Sequence, residues 1–246
     1  MAAGKSALYF NFISQPSRAV LLFIRCNQLP VDEKPVLLHK NQQSTPEFLA
    51  INPLGKVPAL KDDDGFCLPE SCAIMRYLAA KYRVPDHWYP GDARLRARVD
   101  AAMDWHHMTI RRGCTAQVWN RILAPMSKQP SSEAQARDGE GILRKALQDM
   151  EDFWLGSTPY VGGEHISLGD LPILTELETL RLLEGAPEGP TMEQQMADFA
   201  KVRGWMVRVR AELEPHYSSV HATLDKAVQN AVRRKQRQLQ GGQAKL

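Results

Sequence analysis

Apolar positions in the first third of the chain switch between two spacings. Residues 8–12 form a short apolar run typical of a strand, whereas residues 16–28 place apolar side chains at the spacing of a helix. Both patterns continue through residue 82, with strands predicted at 33–38, 57–60 and 65–68 and helices at 46–51 and 70–82. This alternation predicts a small α/β domain built on a mixed sheet.

The pattern changes after residues 85–91, a segment rich in proline and glycine that we interpret as a linker. From residue 92 onward only helical spacing is found, with helices predicted at 92–123, 131–154, 167–183, 191–214 and 217–240. Ser167, with Asp170 three residues later, indicates a capping box at the start of the third of these helices. The sequence therefore predicts an α/β domain over 1–84, an all-helical domain over 92–240 and a flexible tail over 241–246.

Composition and charge argue against several classes of partner. Charged residues make up 24% and hydrophobic residues 43% of the 246 residues, as is ordinary for a soluble globular protein. No apolar run approaches the ~18 residues of a membrane span, and a net charge of +3 is too small to indicate nucleic-acid binding. The basic cluster at 233–237 has two interpretations, the solvated last turn of a helix or an import or RNA-binding signal. We expect neither a membrane nor a nucleic acid as partner.

The cysteines and histidines predict no metal site. Cys26, Cys67, Cys72 and Cys114 form no Cys-x-x-Cys pair, which argues against a dithiol redox centre and a zinc knuckle. His106 and His107 are adjacent, and adjacent side chains on a helix point about 100° apart. We therefore expect that these two histidines cannot share a metal ion.

The most informative position is the junction between the first predicted strand and the first predicted helix. Ser14 lies there, directly before a helix with Pro16 near its start. Backbone N–H groups at a helix N-terminus are unpaired and the helix dipole is positive there, so an anion is favoured. If the anion is the thiolate of a bound thiol, Ser14 belongs to a thiol-transfer enzyme. The alternative is that Ser14 only caps the helix.

Three further stretches of sequence help to choose between the two interpretations of Ser14. They are Asn-Pro-Leu-Gly-Lys-Val-Pro-Ala-Leu at 52–60, Leu-Pro-Glu-Ser-Cys-Ala-Ile at 68–74 and Asp-Trp-His-His-Met-Thr-Ile-Arg-Arg at 104–112. Together with Ser-Gln-Pro-Ser-Arg-Ala at 14–19, they resemble the cytosolic glutathione S-transferases, and among these the theta class of plants and algae. The resemblance covers roughly residues 7–220. It implies a thioredoxin-like N-terminal domain, βαβ-α-ββα, followed by an all-helical C-terminal domain that binds the electrophile.

The resemblance also implies a chemistry for Ser14. In theta-class enzymes a serine at this position donates a hydrogen bond to the sulfur of glutathione. A free thiol has a pKa of about 8.5, and such a bond together with the helix dipole would lower it by roughly one to two units. The thiolate would attack an electrophilic carbon or the O–O bond of an organic hydroperoxide, with glutathione as co-substrate and no cofactor. Tyr9, on the preceding strand, we interpret as structural.

The remaining site residues follow from the same resemblance. Val57 before a cis Pro58 is expected to pair with the cysteinyl backbone of glutathione. Ser71 is expected to hold the γ-glutamyl carboxylate, and Glu70 to accept from the ammonium group. An arginine at the position of Arg111 can approach the thiolate pocket. The glycyl end is expected to lie near Lys40, Gln43, Ser44 and Lys56.

Two alternative functions would use the same fold without catalysis: a carrier of apolar ligands and a scaffold subunit of a larger complex.

We expect a homodimer, since the family is dimeric and the first helix of the second domain offers a surface for an isologous interface. Residues Ala244, Lys245 and Leu246 are similar to the Ser-Lys-Leu address that a peroxisomal import receptor reads. The expected location is therefore the peroxisome, the cytoplasm or both.

Overall fold

The structure, a computed structural model, describes residues 5–243. Its first domain is a four-stranded sheet in the order β2-β1-β3-β4, in which β2 is parallel to β1, β3 is antiparallel to β1 and β4 is antiparallel to β3. This arrangement confirms the predicted thioredoxin-like domain. Its elements are β1 (Ser6–Phe10), α1 (Gln15–Cys26), β2 (Val31–Pro35), α2 (Pro46–Leu49), β3 (Ala59–Lys61), β4 (Cys67–Pro69) and α3 (Ser71–Tyr82).

The strands differ from the prediction at their ends, for local reasons. β1 ends two residues early because Asn11 turns the chain: its Nδ2 donates to the carbonyl of Val36 at 2.7 Å, and its Oδ1 accepts from the N–H of Ile13 at 2.9 Å. β2 begins and ends earlier than predicted, at Val31–Pro35. β3 begins at Ala59 rather than at residue 57, since Pro58 has no N–H to give to a ladder. The Val57–Pro58 peptide bond is cis.

The secondary-structure elements of the second domain that we describe are all helices. Two single π-helical turns, Trp119–Leu123 and Met150–Trp154, and a 3₁₀ segment, Leu180–Gly185, continue three of its helices. The linker predicted at 85–91 lies between α3 and the first helix of this domain. The helices are α4 (Ala93–Met108), α5 (Ile110–Val118), α6 (Ala124–Met126), α7 (Glu133–Asp149), α8 (Asp170–Thr179), α9 (Met192–Met196), α10 (Ala200–Glu212) and α11 (His216–Gln243).

Two of the predicted long helices are interrupted. The helix predicted at 92–123 breaks at Thr109, where φ is −120° and ψ is −92°. The Thr109 hydroxyl donates to the carbonyl of Trp105 at 2.6 Å, a bond to the preceding turn that bends helices. The helix predicted at 191–214 is divided before Phe199, which leaves helical geometry with φ −110° and ψ 80° and is buried.

The predicted capping box is not formed, because α8 begins three residues later than expected with Gly169 as its N-cap, but Ser167 and Asp170 still bond each other. The N–H and the hydroxyl of Ser167 both donate to Oδ2 of Asp170 at 2.9 Å. The other oxygen of Asp170 accepts from the indole of Trp205 at 2.7 Å and from the N–H of Val161 at 3.1 Å. This buried carboxylate therefore joins three segments of the helical domain.

Arg18 connects the two domains. It lies in the first turn of α1 and is fully buried. One terminal nitrogen donates to the carbonyls of Phe12 and Ile13 at 3.2 and 3.1 Å, and the other donates to α8, at 2.9 Å from the carbonyl of Thr175 and 2.6 Å from the hydroxyl of Thr179. Burial lowers the pKa of Arg18 to about 10, and the carboxylates of Glu176 and Glu178 oppose that shift. The guanidinium thus holds the loop before α1 against the second domain.

The end of the chain differs from the prediction in one respect. α11 continues to Gln243, whereas the helix was predicted to end at 240 and a flexible tail to begin at 241. The tripeptide Ala244-Lys245-Leu246 lies outside the described residues. Within residues 5–243, the helices are too short or too polar to cross a bilayer.

We predict that Arg18→Met lowers the free energy of unfolding by about 3–5 kcal/mol, because four acceptors, two of them in buried hydrogen bonds, lose their donor. Denaturant titration followed by circular dichroism measures the change. The matched control is Arg144→Met, since the pair of Arg144 with Asp198 leaves both side chains 69% exposed. This control should stay within ~0.5 kcal/mol of the wild type. Equal losses for both variants would contradict the role of Arg18.

Candidate active site

Ser14 sits on a turn that its neighbours hold rigidly. The N–H of Ser14 donates to the carbonyl of Asn11 at 3.1 Å. Asn11 is fixed in turn, because its N–H donates to the hydroxyl of the buried Ser17 at 3.3 Å. Arg18 holds the two carbonyls immediately before Ser14, as described above. The position of the serine therefore depends on both domains.

The geometry of Ser14 fits both interpretations drawn from the sequence. Ser14 is the N-cap of α1, and its Oγ accepts from the N–H of Ser17 at 3.4 Å. In this bond the hydroxyl is the acceptor, so its proton is still available. Among the described residues no acceptor takes that proton, and Ser14 is half-buried rather than enclosed. A capping serine can therefore also donate to an anion placed at the start of α1.

A cavity of about 230 Å³ lies between the end of the sheet and the break between α4 and α5. Five of the predicted glutathione-binding residues line it, together with Arg111: Lys56, Val57, Pro58, Glu70 and Ser71. Ser14 is not among the lining residues, although Pro16, two residues later, is. Sequence reasoning also missed lining residues, namely Asn52, Leu54, Pro69 and His107.

One wall of the cavity is shaped by the buried Asn52. Its Nδ2 donates to the carbonyl of Lys56 at 2.7 Å, and its Oδ1 accepts from the N–H of Leu54 at 3.1 Å. Gly55 closes this turn with a φ of +62°, a conformation that favours glycine. Asn52 therefore acts on the site by positioning the backbone that leads into Val57.

Another part of the lining is the junction of β4 with α3. Glu70 has a φ of +69° and ψ of 112°, which is uncommon for a residue with a side chain. Its carbonyl accepts from the N–H of Ile74 at 2.9 Å, so the strained residue also opens the helix. Ser71, the first residue of α3, is buried, whereas Glu70 is exposed. The junction thus presents a carboxylate and a hydroxyl side by side at a helix N-terminus.

Arg111 reaches the cavity from the second domain and pairs with Glu176. The side chain of Glu176 is 1% exposed, and that of Arg111 is 36% exposed. Burial raises the pKa of Glu176 to about 7, and the charges of Arg111 and Arg18 act in the opposite direction. Glu176 lies on α8 beside Thr175, to which Arg18 is bonded. The same helix therefore positions both the arginine of the cavity and the loop of Ser14.

The predicted glycyl-end loop lies at the side of the cavity rather than in its lining. Gln43 donates to Oδ1 of Asn41 at 2.8 Å, and the hydroxyl of Ser44 donates to the same oxygen at 3.3 Å. A Cβ added at Gly55 would lie 3.4 Å from the carbonyl of Gln43, so this loop touches the turn before Lys56. Lys40 is exposed. Of the four predicted glycyl-end residues, only Lys56 lines the cavity.

The two adjacent histidines do not behave as the helical geometry predicted. Their ring centroids are 4.2 Å apart, because the side chains lean toward each other at the last turn of α4. One ligand atom from each ring and the sulfur of Cys72 all lie within 4.8 Å of one another. The argument that adjacency prevents a shared metal ion is therefore wrong for this pair.

Tyr9 is directed away from the cavity. Its ring packs edge to face on Phe48, with the centroids 6.2 Å apart, next to the small apolar cluster of Val36 and Ala59. Tyr9 is not among the residues that line the cavity. Its surroundings are those of a packing residue.

The chain is similar to known proteins over most of its length. Residues 13–81 match the family model of the glutathione S-transferase N-terminal domain. Glutathione S-transferase T1 of Arabidopsis thaliana is 36% identical over 235 residues, which cover 94% of each chain. Glutathione S-transferase T2 of the same plant is 39% identical over 91% of this chain, which spans only 37% of that longer protein.

The fold matches solved structures as well. Human glutathione transferase theta-2, in complex with glutathione and an unknown ligand, superposes with a TM-score of 0.84 at 35% identity and covers 93% of this chain and 91% of that one. The sequence motifs, the two-domain fold and the lining of the cavity lead to one conclusion: the chain belongs to the theta class of the glutathione S-transferase family.

Proposed function

We propose that the protein is a glutathione transferase in which Ser14 activates the thiol of glutathione. The observation that carries the proposal is the cavity, which brings Val57, Glu70, Ser71 and Arg111 together at the start of α1. These residues come from three separate segments of the sequence. Packing alone gives no reason to gather the exposed carboxylate of Glu70, the guanidinium of Arg111 and the backbone of Val57 around one opening.

Each part of glutathione has a complementary group. The γ-glutamyl carboxylate fits the hydroxyl of Ser71 and the N-terminus of α3, where the helix dipole favours an anion. The ammonium group fits the carboxylate of Glu70. Val57 comes two residues before Ala59, the first paired residue of β3, and its peptide groups fit the cysteinyl backbone as a neighbouring strand would. The glycyl carboxylate fits Lys56, with Lys40, Gln43 and Ser44 at the side.

The thiol then lies near the start of α1, where two features stabilise its ionised form. The hydroxyl of Ser14 donates a hydrogen bond to the sulfur. The guanidinium of Arg18 bonds the carbonyls of the loop that precedes Ser14 and adds a positive charge there. The thiolate attacks an electrophilic carbon and displaces the leaving group. With an organic hydroperoxide it attacks the O–O bond, which releases the alcohol, and a second glutathione reduces the resulting sulfenic acid to give glutathione disulfide and water.

Ser14→Ala should remove most turnover while glutathione affinity changes only a few fold, because the hydroxyl acts on the sulfur and not on the peptide. A loss of two pKa units at the bound thiol corresponds to ~2.7 kcal/mol. The ultraviolet band of the thiolate, titrated against pH, gives the thiol pKa directly. Turnover is measured with aryl halides, aralkyl halides and cumene hydroperoxide.

Three variants serve as comparisons for Ser14→Ala. Ser14→Thr keeps both hydroxyl and helix cap and should retain the lowered thiol pKa. Tyr9→Phe should leave turnover near that of the wild type. Glu70→Gln keeps the side-chain length at a strained backbone position and should raise the KM for glutathione more than it lowers kcat, because it removes binding at a remote end of the substrate. An unchanged thiol pKa in Ser14→Ala would refute the mechanism.

We also propose that the protein is a homodimer. The outward side of α4 carries Ala97 and Ala101, which are exposed, and ends at Met108, whose side chain is 68% exposed. Such a stripe of small and apolar residues suits an isologous contact. Light scattering should give a mass near twice the 27.7 kDa of one chain. Ala101→Glu should shift the mass toward that of one chain, whereas Ala211→Glu, at an exposed alanine on α10, should not. A wild-type mass of one chain would contradict this proposal.

For location we propose the peroxisome, on the basis of residues Ala244, Lys245 and Leu246, which act as an address when they stand at a free C-terminus. A fluorescent protein fused to the N-terminus leaves that tripeptide free. We expect punctate fluorescence in cells, and diffuse fluorescence once the three residues are removed. Fluorescence that is diffuse in both cases would refute the address.

A further inference from the structure

A second cluster of chemically active groups lies beside the glutathione cavity and has no part in the proposed transfer reaction. Cys72 is the second residue of α3, and His106 and His107 lie in the last turn of α4. The sulfur and one nitrogen from each ring lie within 4.8 Å of one another. We propose that Cys72, His106 and His107 bind a divalent transition-metal ion, with Zn²⁺ as the best match.

The separation of the ligand atoms is close to what a metal requires. Zn²⁺ binds sulfur at ~2.3 Å and imidazole nitrogen at ~2.0–2.1 Å, which places tetrahedral ligand atoms roughly 3.3–3.6 Å apart. The ligand atoms therefore have to approach one another by at most about 1.5 Å, which small rotations of the three side chains provide. Thiolate and imidazole are the ligands that Zn²⁺ prefers, and three protein ligands leave a fourth position for water.

A hydrogen bond sets the tautomer of His106. Nδ1 of His106 bonds the carbonyl of Met103, which leaves the lone pair on Nε2. A bond from the second ring nitrogen to a backbone carbonyl is the usual support of a metal-bound histidine.

Charges of both signs surround the cluster. Two arginines are near it, and each has carboxylate partners: Arg76 bonds Asp100 and Asp104 at 2.6 and 3.2 Å, and Arg111 pairs with Glu176. The charges of Arg111 and Arg76 act against a cation at His107, whereas those of Glu70 and Asp104 act in its favour. The carboxylates therefore offset part of the positive charge of the arginines.

An ion can reach the cluster from the cavity. Cys72 and His106 are buried, but His107 is half-buried and lines the cavity beside Arg111. On binding, the thiol of Cys72 gives its proton to water, a sulfur–metal bond forms, and both rings contribute lone pairs without losing a proton. Because the bound sulfur must be deprotonated, metal affinity should increase with pH.

The test uses Co²⁺ as a spectroscopic probe on the full chain without glutathione, since glutathione itself binds metals. Co²⁺ should produce the visible bands of a four-coordinate ion and a thiolate-to-cobalt charge-transfer band, and Zn²⁺ should displace both at one equivalent. Cys72→Ser should abolish the charge-transfer band, and His106→Gln should weaken Co²⁺ binding more than about 100-fold, beyond the loss seen for outer partners of a metal site. Cys67→Ser, which changes a partly exposed thiol outside the cluster, should bind as the wild type does.

A second measurement needs no variant and so does not depend on how Cys72→Ser folds. X-ray absorption at the zinc edge of the wild-type complex should show one sulfur at ~2.3 Å with nitrogen or oxygen ligands at ~2.0–2.1 Å. A zinc shell without sulfur, or a cobalt band that Cys67→Ser removes and Cys72→Ser retains, overturns the proposal. Both readouts are independent of transferase activity, so they separate the metal site from the proposed function.

Discussion

The buried guanidinium of Arg18 is the contact on which the rest of the site depends. It satisfies two carbonyls of the loop before α1 and two oxygens of α8, so one side chain sets the position of Ser14 relative to the second domain. A buried charge is costly without such partners. Any movement of one domain against the other would break those bonds, and the site keeps its geometry for that reason.

α8 carries this constraint to the other side of the cavity. Glu176 follows Thr175 directly and pairs with Arg111, so the loop of Ser14 and the arginine of the cavity are positioned by consecutive residues of one helix. Asp170 holds the start of the same helix through Ser167, Val161 and Trp205. The order of the site thus rests on a helix that contributes no residue to the cavity lining.

The parts of the site that could be predicted from sequence are those encoded within a few residues. Ser14 before Pro16, Val57 before Pro58 and Glu70 before Ser71 each mark a junction whose geometry follows from local rules. The pairing of Arg18 with α8 joins residues 157 positions apart, and no local pattern signals it. The leaning of His106 toward His107 depends on side-chain rotation, which helical spacing does not describe.

The fold class could be predicted from the sequence because alternating and helical spacing extend over whole elements. Strand ends and helix breaks could not, because they depend on single side chains such as Asn11 and Thr109.

The break at Thr109 has a further consequence for how this segment tolerates change. In an unbroken helix, Met108 and Arg111 would share a face, because residues three apart are neighbours on a helix surface. Here Met108 is 68% exposed while Arg111 meets the buried Glu176, so the two sides of the break belong to different environments. Substitutions before the break can alter the outer surface and the histidine pair without shifting the register of the arginine. The two sides of the break can therefore vary separately, except at His107, which lines the cavity together with Arg111.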